Sequence, residues 1–132
     1  MKALLDTNAY SLLMRGNAQA AEIVRAADEL LFSAVVIGEL LYGFRRGSRF
    51  EENTADLRSM LDSPFSRFVE VGPVTADRYS RIATALRAKG RPIPTNDVWI
   101  AAHAMETGAD LISADGHFTH VDGIAWVPLG VT

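Results

Sequence analysis

The sequence predicts an α/β protein in which a central, mostly parallel sheet lies between two layers of helices, a three-layer α/β/α sandwich. Two features predict this class: short apolar runs alternate with longer amphipathic stretches, and glycine or proline residues separate many of them. Strands that alternate with helices are joined by crossover connections, which make the strands parallel and cover both faces of the sheet. The 132 residues contain no repeat, low-complexity run or linker, so we expect a single domain over residues 1–132.

The predicted strands are short apolar runs flanked by polar or turn-forming residues. The first is KALL, which ends at Asp6, and the second is LLFSA, which leads into a helix. Short continuous apolar runs are typical of strands that are buried on both faces of a parallel sheet. We predict five strands, at residues 2–5, 30–34, 68–71, 109–113 and 124–127.

The predicted helices are the longer amphipathic stretches between these strands. Gly16 and Asn17 separate the first two helices, Pro64 ends the fourth stretch, and Gly108 ends the last one. Thr75 is a possible helix cap. We predict six helices, at residues 8–15, 18–28, 35–46, 50–61, 75–89 and 95–107.

Composition excludes several classes of site. There is no cysteine, which excludes disulfides, thiolate nucleophiles, iron–sulfur clusters and cysteine-ligated zinc. No segment is apolar for long enough to span a bilayer, and Asp6 comes too early for a signal-peptide core, so we expect a cytoplasmic protein with no membrane partner. The net charge is −3, whereas a protein that coats nucleic acid is basic. Any contact with nucleic acid must therefore be local or assisted by metal ions.

Four of the 16 acidic residues stand in apolar surroundings. Asp6 ends the run ALL, Glu39 lies inside VVIGELLYG, Asp97 lies between PIPTN and VWIAA, and Asp115 follows LISA. A carboxylate in apolar surroundings is costly unless something compensates its charge. Separated acids cannot compensate one another, but a bound divalent cation can compensate all of them.

The predicted positions of these acids converge. Asp6 and Asp115 lie at or just beyond the carboxyl ends of strands, Asp97 lies in the first turn of a helix, and Glu39 lies one or two turns into another helix. The carboxyl ends of parallel strands meet at one edge of the sheet, where sites form in α/β proteins. Four oxygen ligands suit a hard cation, Mg²⁺ or Mn²⁺. Such a site most readily hydrolyses phosphodiesters, with the ion activating a water.

Each acid also has a structural interpretation. Asp6 could cap a helix, Asp97 could complement the dipole of its helix, and Asp115 could belong to an Asp-Gly turn. Glu39 is mid-helix, where neither a cap nor a turn is available, although it could be a paired structural residue. The metal site is favoured by the conjunction of the four residues and not by any one of them.

Four segments match a known pattern. LLDTNAY at residues 4–10, IGELLYG at 37–43, IPTNDVWIAAHA at 93–104 and LISADGHF at 111–118 occur in the same order and at similar spacing. The chain resembles PIN-domain proteins and, within that family, VapC-type toxins of bacterial toxin–antitoxin pairs. The resemblance covers nearly the whole chain.

The resemblance implies a PIN-like fold and a metal-dependent endoribonuclease. It also implies an RNA substrate, inhibition by a small cognate antitoxin, and a homodimer. It places the acidic, catalytic metal ligands on Asp6, Glu39, Asp97 and Asp115. It places supporting polar side chains on Asn8, Asn96 and Ser113, the last being threonine in many relatives. The position before the final acid is often basic in this family but is Ala114 here.

Basic residues cluster shortly after the Glu39 helix and just before Asp97. They are possible contacts for RNA phosphates, although basic side chains also favour helix C-termini and solvent. The candidates are Arg45, Arg46, Arg49, Arg87, Lys89 and Arg91. His117 and His120 follow Asp115 closely, but two histidines without a third ligand motif give little support for a zinc site.

The sequence leaves two other functions open. Asp6 could be the covalent phosphate acceptor of a phosphotransfer domain, although the phosphatase variant usually has a second Asp where this chain has Asn8. Alternatively, the chain could be a non-catalytic PIN-like binding module whose acids hold a structural cation. The presence of all four acids argues against a degenerate scaffold.

Overall fold

The computed structural model describes residues 1–130, which form one five-stranded sheet, six α-helices and a short 3₁₀ helix. The strands are β1 (Lys2–Leu5), β2 (Glu29–Ser33), β3 (Ser66–Val69), β4 (Asp110–Ser113) and β5 (Ala125–Pro128). The helices are α1 (Thr7–Met14), α2 (Ala18–Ala26), α3 (Ala34–Arg46), α4 (Phe50–Leu61), α5 (Pro73–Ala88) and α6 (Thr95–Thr107). The 3₁₀ helix is Gly116–His120.

The sheet is parallel throughout and has the strand order β3-β2-β1-β4-β5. The chain winds outward from β1 to β3 and then returns to the other side of β1 to build β4 and β5. The order therefore reverses between β1 and β4, and in open α/β sheets such a reversal opens a crevice at the carboxyl ends of the two strands. The predicted α/β/α fold with a central parallel sheet is confirmed.

The core is centred on the three middle strands. Leu4 is in register with Leu31 on one side and with Leu111 on the other, and all three are fully buried. Burying one such side chain stabilises the fold by roughly 1.5–3 kcal/mol. This is why the central strands are continuous apolar runs, and why the polar residues just after them stand out in the sequence.

The observed elements differ from the predicted ones at β3, at α5 and after β4. β3 is an edge strand that begins two residues before the predicted start, and because only Val69 of its four residues is buried, its sequence has no clear apolar run. α5 begins at Pro73, since proline is well tolerated in the first turn of a helix. The 3₁₀ helix after β4 was not predicted.

His103 on α6 is a fully buried polar residue that joins the ends of two strands. Its Nε2 lies 2.9 Å from the carbonyl oxygen of Glu70, and its Nδ1 lies 2.8 Å from Ser33 Oγ. A carbonyl only accepts hydrogen bonds, so Nε2 carries the proton and Nδ1 accepts from the serine hydroxyl. Burial lowers the pKa of His103, so the side chain is neutral in the folded protein.

We expect His103→Leu to lower the free energy of unfolding by about 1–3 kcal/mol, because it leaves the Glu70 carbonyl and the Ser33 hydroxyl without partners. A lowered folded-state pKa means that the unfolded chain binds the proton more tightly, so this histidine destabilises the native state as the pH falls below 6.5. The variant should therefore lose more stability at about pH 7.5 than at about pH 5.5. Urea denaturation at both values measures this, and equal stability of the two proteins would contradict it.

Candidate metal centre

Asp6 lies directly after β1, at the point where the strand order reverses. It caps α1, with Oδ1 accepting a hydrogen bond of 2.8 Å from the backbone N–H of Ala9. Its other oxygen accepts a hydrogen bond from the Ser113 hydroxyl at the end of β4. Asp6 is only 4% exposed, and burial raises its pKa to about 6 despite these two hydrogen bonds. The cap predicted as the alternative role exists, but it does not offset the cost of burying the charge.

Ser113 connects two of the predicted acids across the crevice. It is fully buried, it donates to Asp6, and its Oγ accepts a hydrogen bond of 2.9 Å from the backbone N–H of Asp115. The supporting position predicted at Ser113 therefore contacts the candidate site directly. Its hydroxyl sets the orientation of Asp6 and the path of the chain at Asp115.

Glu39 lies on α3, whose first turn is capped by Ser33 at the end of β2. One of its carboxylate oxygens accepts from the Thr7 hydroxyl, and the other accepts a hydrogen bond of 3.2 Å from Asn96 Nδ2. Thr7 and Asn96 each adjoin another of the acids, Asp6 and Asp97. The carboxylate of Glu39 is thus held between α1 and α6.

The imidazole ring of His117 lies beside the carboxylates of both Asp97 and Asp115. The Nδ1 atom of His117 lies 3.0 Å from Asp115 Oδ1 and 3.4 Å from Asp97 Oδ2. Asp97 is in the first turn of α6, where the helix dipole favours an anion, and Asp115 caps the 3₁₀ helix. One ligand atom from each of the three residues lies within 4.8 Å of the other two.

The acids influence one another electrostatically. Besides burial, the negative charges of Asp97 and Asp115 raise the pKa of Asp6. Burial raises the pKa of Asp97, and the charges of Asp115 and Glu39 add to this while the hydrogen bond from His117 opposes it. Across residues 1–130, no lysine or arginine forms an ion pair with any of the four carboxylates. Clustered carboxylates without a lysine or arginine partner are a donor set that suits a hard divalent cation.

A side pocket of about 310 Å³ opens beside Asp115. It is lined by Asn8, Leu12, Arg15, Ala114 and Asp115. Arg15 is exposed at the C-terminus of α1, and within residues 1–130 its guanidinium forms no ion pair with an acid. Arg15 was not predicted as a site residue, because it is distant from Asp115 along the chain and lies outside the basic clusters.

The basic residues predicted as RNA contacts differ in their surroundings. Lys89 Nζ lies 2.7 Å from Asp122 and donates to the carbonyl of His120, and Arg49 pairs with Glu52. Arg45 and Arg46 lie over the rings of Phe50 and Tyr42 respectively. Arg87 and Arg91 are exposed on either side of the turn that precedes α6. RNA contact by any of these residues stays a prediction.

Comparison with known proteins gives the family. The family model for the PIN domain matches residues 3–124. The chain belongs to the PIN-domain family. This match confirms the resemblance noted from the sequence. PIN-domain ribonucleases depend on a metal ion, and the clustered acids of this PIN domain are oxygen donors that suit one.

Individual relatives support the same assignment. The PIN domain is 29% identical to Ribonuclease VapC2 of Haemophilus influenzae over 115 residues, which cover 86% of each chain. It is similar to the structure of VapBC-1 from nontypeable H. influenzae, with a TM-score of 0.85, 27% identity and coverage of 97% of this chain and 98% of the other. It is also similar to VapBC-5 of Mycobacterium tuberculosis, a member of the VapBC family of toxin–antitoxin systems, with a TM-score of 0.75, 25% identity and coverage of 97% and 98%.

No helix in residues 1–130 is long and apolar enough to cross a membrane.

Two polar residues beside the acids, Thr7 and His117, were not selected as site residues from the sequence. Thr7 follows Asp6 directly, and His117 lies within the LISADGHF segment, so the motifs carried a signal for both. Of the predicted supporting residues, Ser113 and Asn96 contact acids, whereas Asn8 lines the side pocket.

Proposed function

We propose that this PIN domain is a single-domain, Mg²⁺-dependent endoribonuclease that acts as the toxin of a toxin–antitoxin pair. The observation that carries the proposal is the convergence of four carboxylates, from segments distant in sequence, at the reversal of the strand order. The matches to ribonucleases and to toxin–antitoxin structures support the choice of RNA as substrate. On this proposal, the protein acts in the cytoplasm.

Asp6, Asp97 and Asp115 would hold the cation, with Glu39 binding it directly or through a water. All four are oxygen donors, which favours Mg²⁺ or Mn²⁺. When bound there, the cation supplies Lewis-acid activation of water and compensates the charge that develops on the phosphodiester.

The protein side chains keep these donors in place. Ser113 and the Ala9 N–H fix both oxygens of Asp6, and Thr7 and Asn96 fix both oxygens of Glu39. Donors that are already oriented lose little conformational entropy when a ligand arrives. We therefore assign Ser113 and Asn96 to positioning.

Cleavage of RNA by the purified protein tests the proposal. We expect products from single-stranded or structured RNA in Mg²⁺, no products in EDTA, and recovery when Mg²⁺ is restored in excess. Cleavage that is unaffected by EDTA would show that the metal is not required. A protein that cleaves no RNA under any of these conditions would contradict the nuclease assignment itself.

Arg15 is the residue best placed to bind an RNA phosphate beside the acids, because it lines the side pocket next to Asp115 and has no acidic partner within residues 1–130. We expect Arg15→Gln to weaken binding of a labelled single-stranded RNA and to reduce the slope of log K against log salt by about 0.7, the value for one phosphate contact. Fluorescence anisotropy in an Asp97→Asn background, where the RNA is not cut, measures both quantities.

The control is Arg25→Gln. It removes the same charge from an exposed site on α2, beside a different pocket that is lined by Phe65. An equal effect of the two substitutions would mean that Arg15 acts only through net charge. No effect of either would place the RNA elsewhere on the surface.

The partners on this proposal are RNA, a small cognate antitoxin and a second copy of the chain. Expression of the chain alone should arrest growth, and co-expression with the product of the adjacent gene should relieve the arrest. The oligomeric state of the purified chain by light scattering tests the homodimer.

Asn8 argues against the phosphotransfer alternative, because the phosphatase variant usually has a second Asp at that position. The nuclease proposal predicts that beryllium fluoride forms no adduct with Asp6, and an aspartyl adduct would favour the alternative.

A further inference from the structure

His117 stands closer to the acids than any basic side chain of the described residues. It is the second residue of the 3₁₀ helix, and its backbone N–H donates 2.9 Å to Asp115 Oδ1. The imidazole ring also faces the acids, with Nδ1 3.0 Å from Asp115 Oδ1 and 3.4 Å from Asp97 Oδ2. One ring nitrogen therefore faces carboxylate oxygens that come from two different elements.

These separations match neighbouring ligands on one ion. Ligand atoms at right angles around an octahedral cation, with bonds of about 2.1 Å, stand about 3 Å apart. His117 Nδ1 has this spacing from Asp115 Oδ1 and a slightly longer one, 3.4 Å, from Asp97 Oδ2, and the three ligand atoms form a compact group. A hydrogen-bonding ring and a metal-ligating ring both place Nδ1 between these two carboxylates, and measurements with a bound ion distinguish them.

We propose that Nδ1 of His117 is a nitrogen ligand of the metal centre and that it shifts the ion preference of the site away from Mg²⁺ toward later first-row ions. The inference rests on the metal centre of the proposed function. Imidazole is a weak ligand for Mg²⁺ but a good one for ions such as Co²⁺ and Zn²⁺, whereas carboxylates and waters suit Mg²⁺. With His117 as ligand, Nε2 carries the proton and faces away from the ion.

The test compares binding of Co²⁺ and Mg²⁺ by isothermal titration calorimetry in the full chain and in His117→Gln. Glutamine keeps an oxygen donor of similar reach, so Mg²⁺ binding should change less than about 3-fold, while Co²⁺ binding should weaken at least about 10-fold. His120→Gln is the matched control, because it changes a histidine of the same 3₁₀ helix that is not part of the ligand group. It should leave both ions unaffected.

A spectroscopic measurement needs no assumption about folding of the variant. With Mn²⁺ bound to the unaltered protein, electron–nuclear double resonance spectroscopy should show hyperfine coupling to one directly bound ¹⁴N. This coupling should vanish in His117→Gln but persist in His120→Gln. If the ¹⁴N coupling is absent, or if Co²⁺ and Mg²⁺ weaken equally, His117 is only a hydrogen-bonding neighbour and the inference is wrong.

Two outcomes separate the role of His117 from the role of the carboxylates. If the ions bind without nitrogen and Asp97→Asn abolishes their binding, the carboxylate centre stands and only the role of His117 is refuted. If neither Mg²⁺, Co²⁺ nor Mn²⁺ binds to the unaltered protein, both the inference and the metal centre are refuted.

Discussion

Asp97→Asn should abolish RNA cleavage while leaving the fold intact. Asparagine keeps the shape of the side chain but removes the charge that binds a cation. Loss of a residue that only supports a metal ligand reduces activity by up to about 100-fold, so loss of a ligand itself should reduce cleavage by at least about 100-fold. The raised pKa of Asp97 means that its charge is unfavourable in the metal-free protein. Thermal unfolding in EDTA should therefore show equal or greater stability for the variant.

The matched control for Asp97→Asn is Glu51→Gln. Glu51 is an exposed acid in the first turn of α4, just as Asp97 is in the first turn of α6. If the role of Asp97 were only to complement a helix dipole, both substitutions would cost a few tenths of a kcal/mol up to about 1 kcal/mol and neither would affect cleavage. Cleavage retained in Asp97→Asn would contradict the assignment of this residue.

Asp6→Asn should stabilise the metal-free protein at neutral pH while inactivating it. The pKa of Asp6 is raised from 3.8 to about 6 in the folded protein. A raised folded-state pKa means that the native state binds the proton more tightly, so the favourable contribution is complete below pH 3.8 and is lost as the pH rises through about 6. At pH 8 the ionised carboxylate then costs up to about 3 kcal/mol.

Asparagine removes this cost and still caps α1, since it is as good an N-cap as aspartate. We expect a gain of roughly 1–3 kcal/mol at pH 8 in EDTA, shrinking toward zero near pH 4, as measured by urea denaturation. The difference between the two proteins isolates Asp6 from His103, whose contribution has the opposite slope. Asp122→Asn, at an exposed acid, should stay within about 0.5 kcal/mol at both values. A loss of stability in Asp6→Asn at pH 8 would contradict this explanation.

These two predictions express one property of the site. On the proposed function the four acids serve a ligand at a cost to the stability of the metal-free chain, because burial and the charges of neighbouring acids raise the pKa of Asp6 and of Asp97. A cation that binds only the folded state recovers this cost through its binding free energy. Replacing Asp6 or Asp97 by asparagine should thus stabilise the metal-free protein and reduce the stabilisation that bound Mg²⁺ provides.

The positions of the acids could be predicted because they depend on short-range patterns. β1 and β4 are short apolar runs, and any residue directly after parallel strands is carried to the same edge of the sheet. Asp6 and Asp115 are such residues, Glu39 and Asp97 stood out by their apolar neighbours, and the family resemblance placed metal ligands on all four. The strand order, which sets β1 beside β4, was not predicted, because it depends on contacts between segments that are distant in sequence.

The details that were not predicted depend on contacts between distant segments. Thr7 and Glu39 are 32 residues apart, and nothing in either segment indicates their hydrogen bond. The pairing of Lys89 with Asp122 joins α5 to the turn before β5, so the basic cluster could not be separated into paired and unpaired members from sequence. Arg15 was overlooked for the same reason, since its nearness to Asp115 exists only in the folded chain.

The most direct test is a crystal structure of the chain grown with Mn²⁺, in which anomalous scattering locates the ion. We predict one strong peak within the crevice between β1 and β4, in contact with carboxylate oxygens of Asp6, Asp97 and Asp115. Carboxylates that point to separate places, with the manganese bound elsewhere or not at all, would contradict the account.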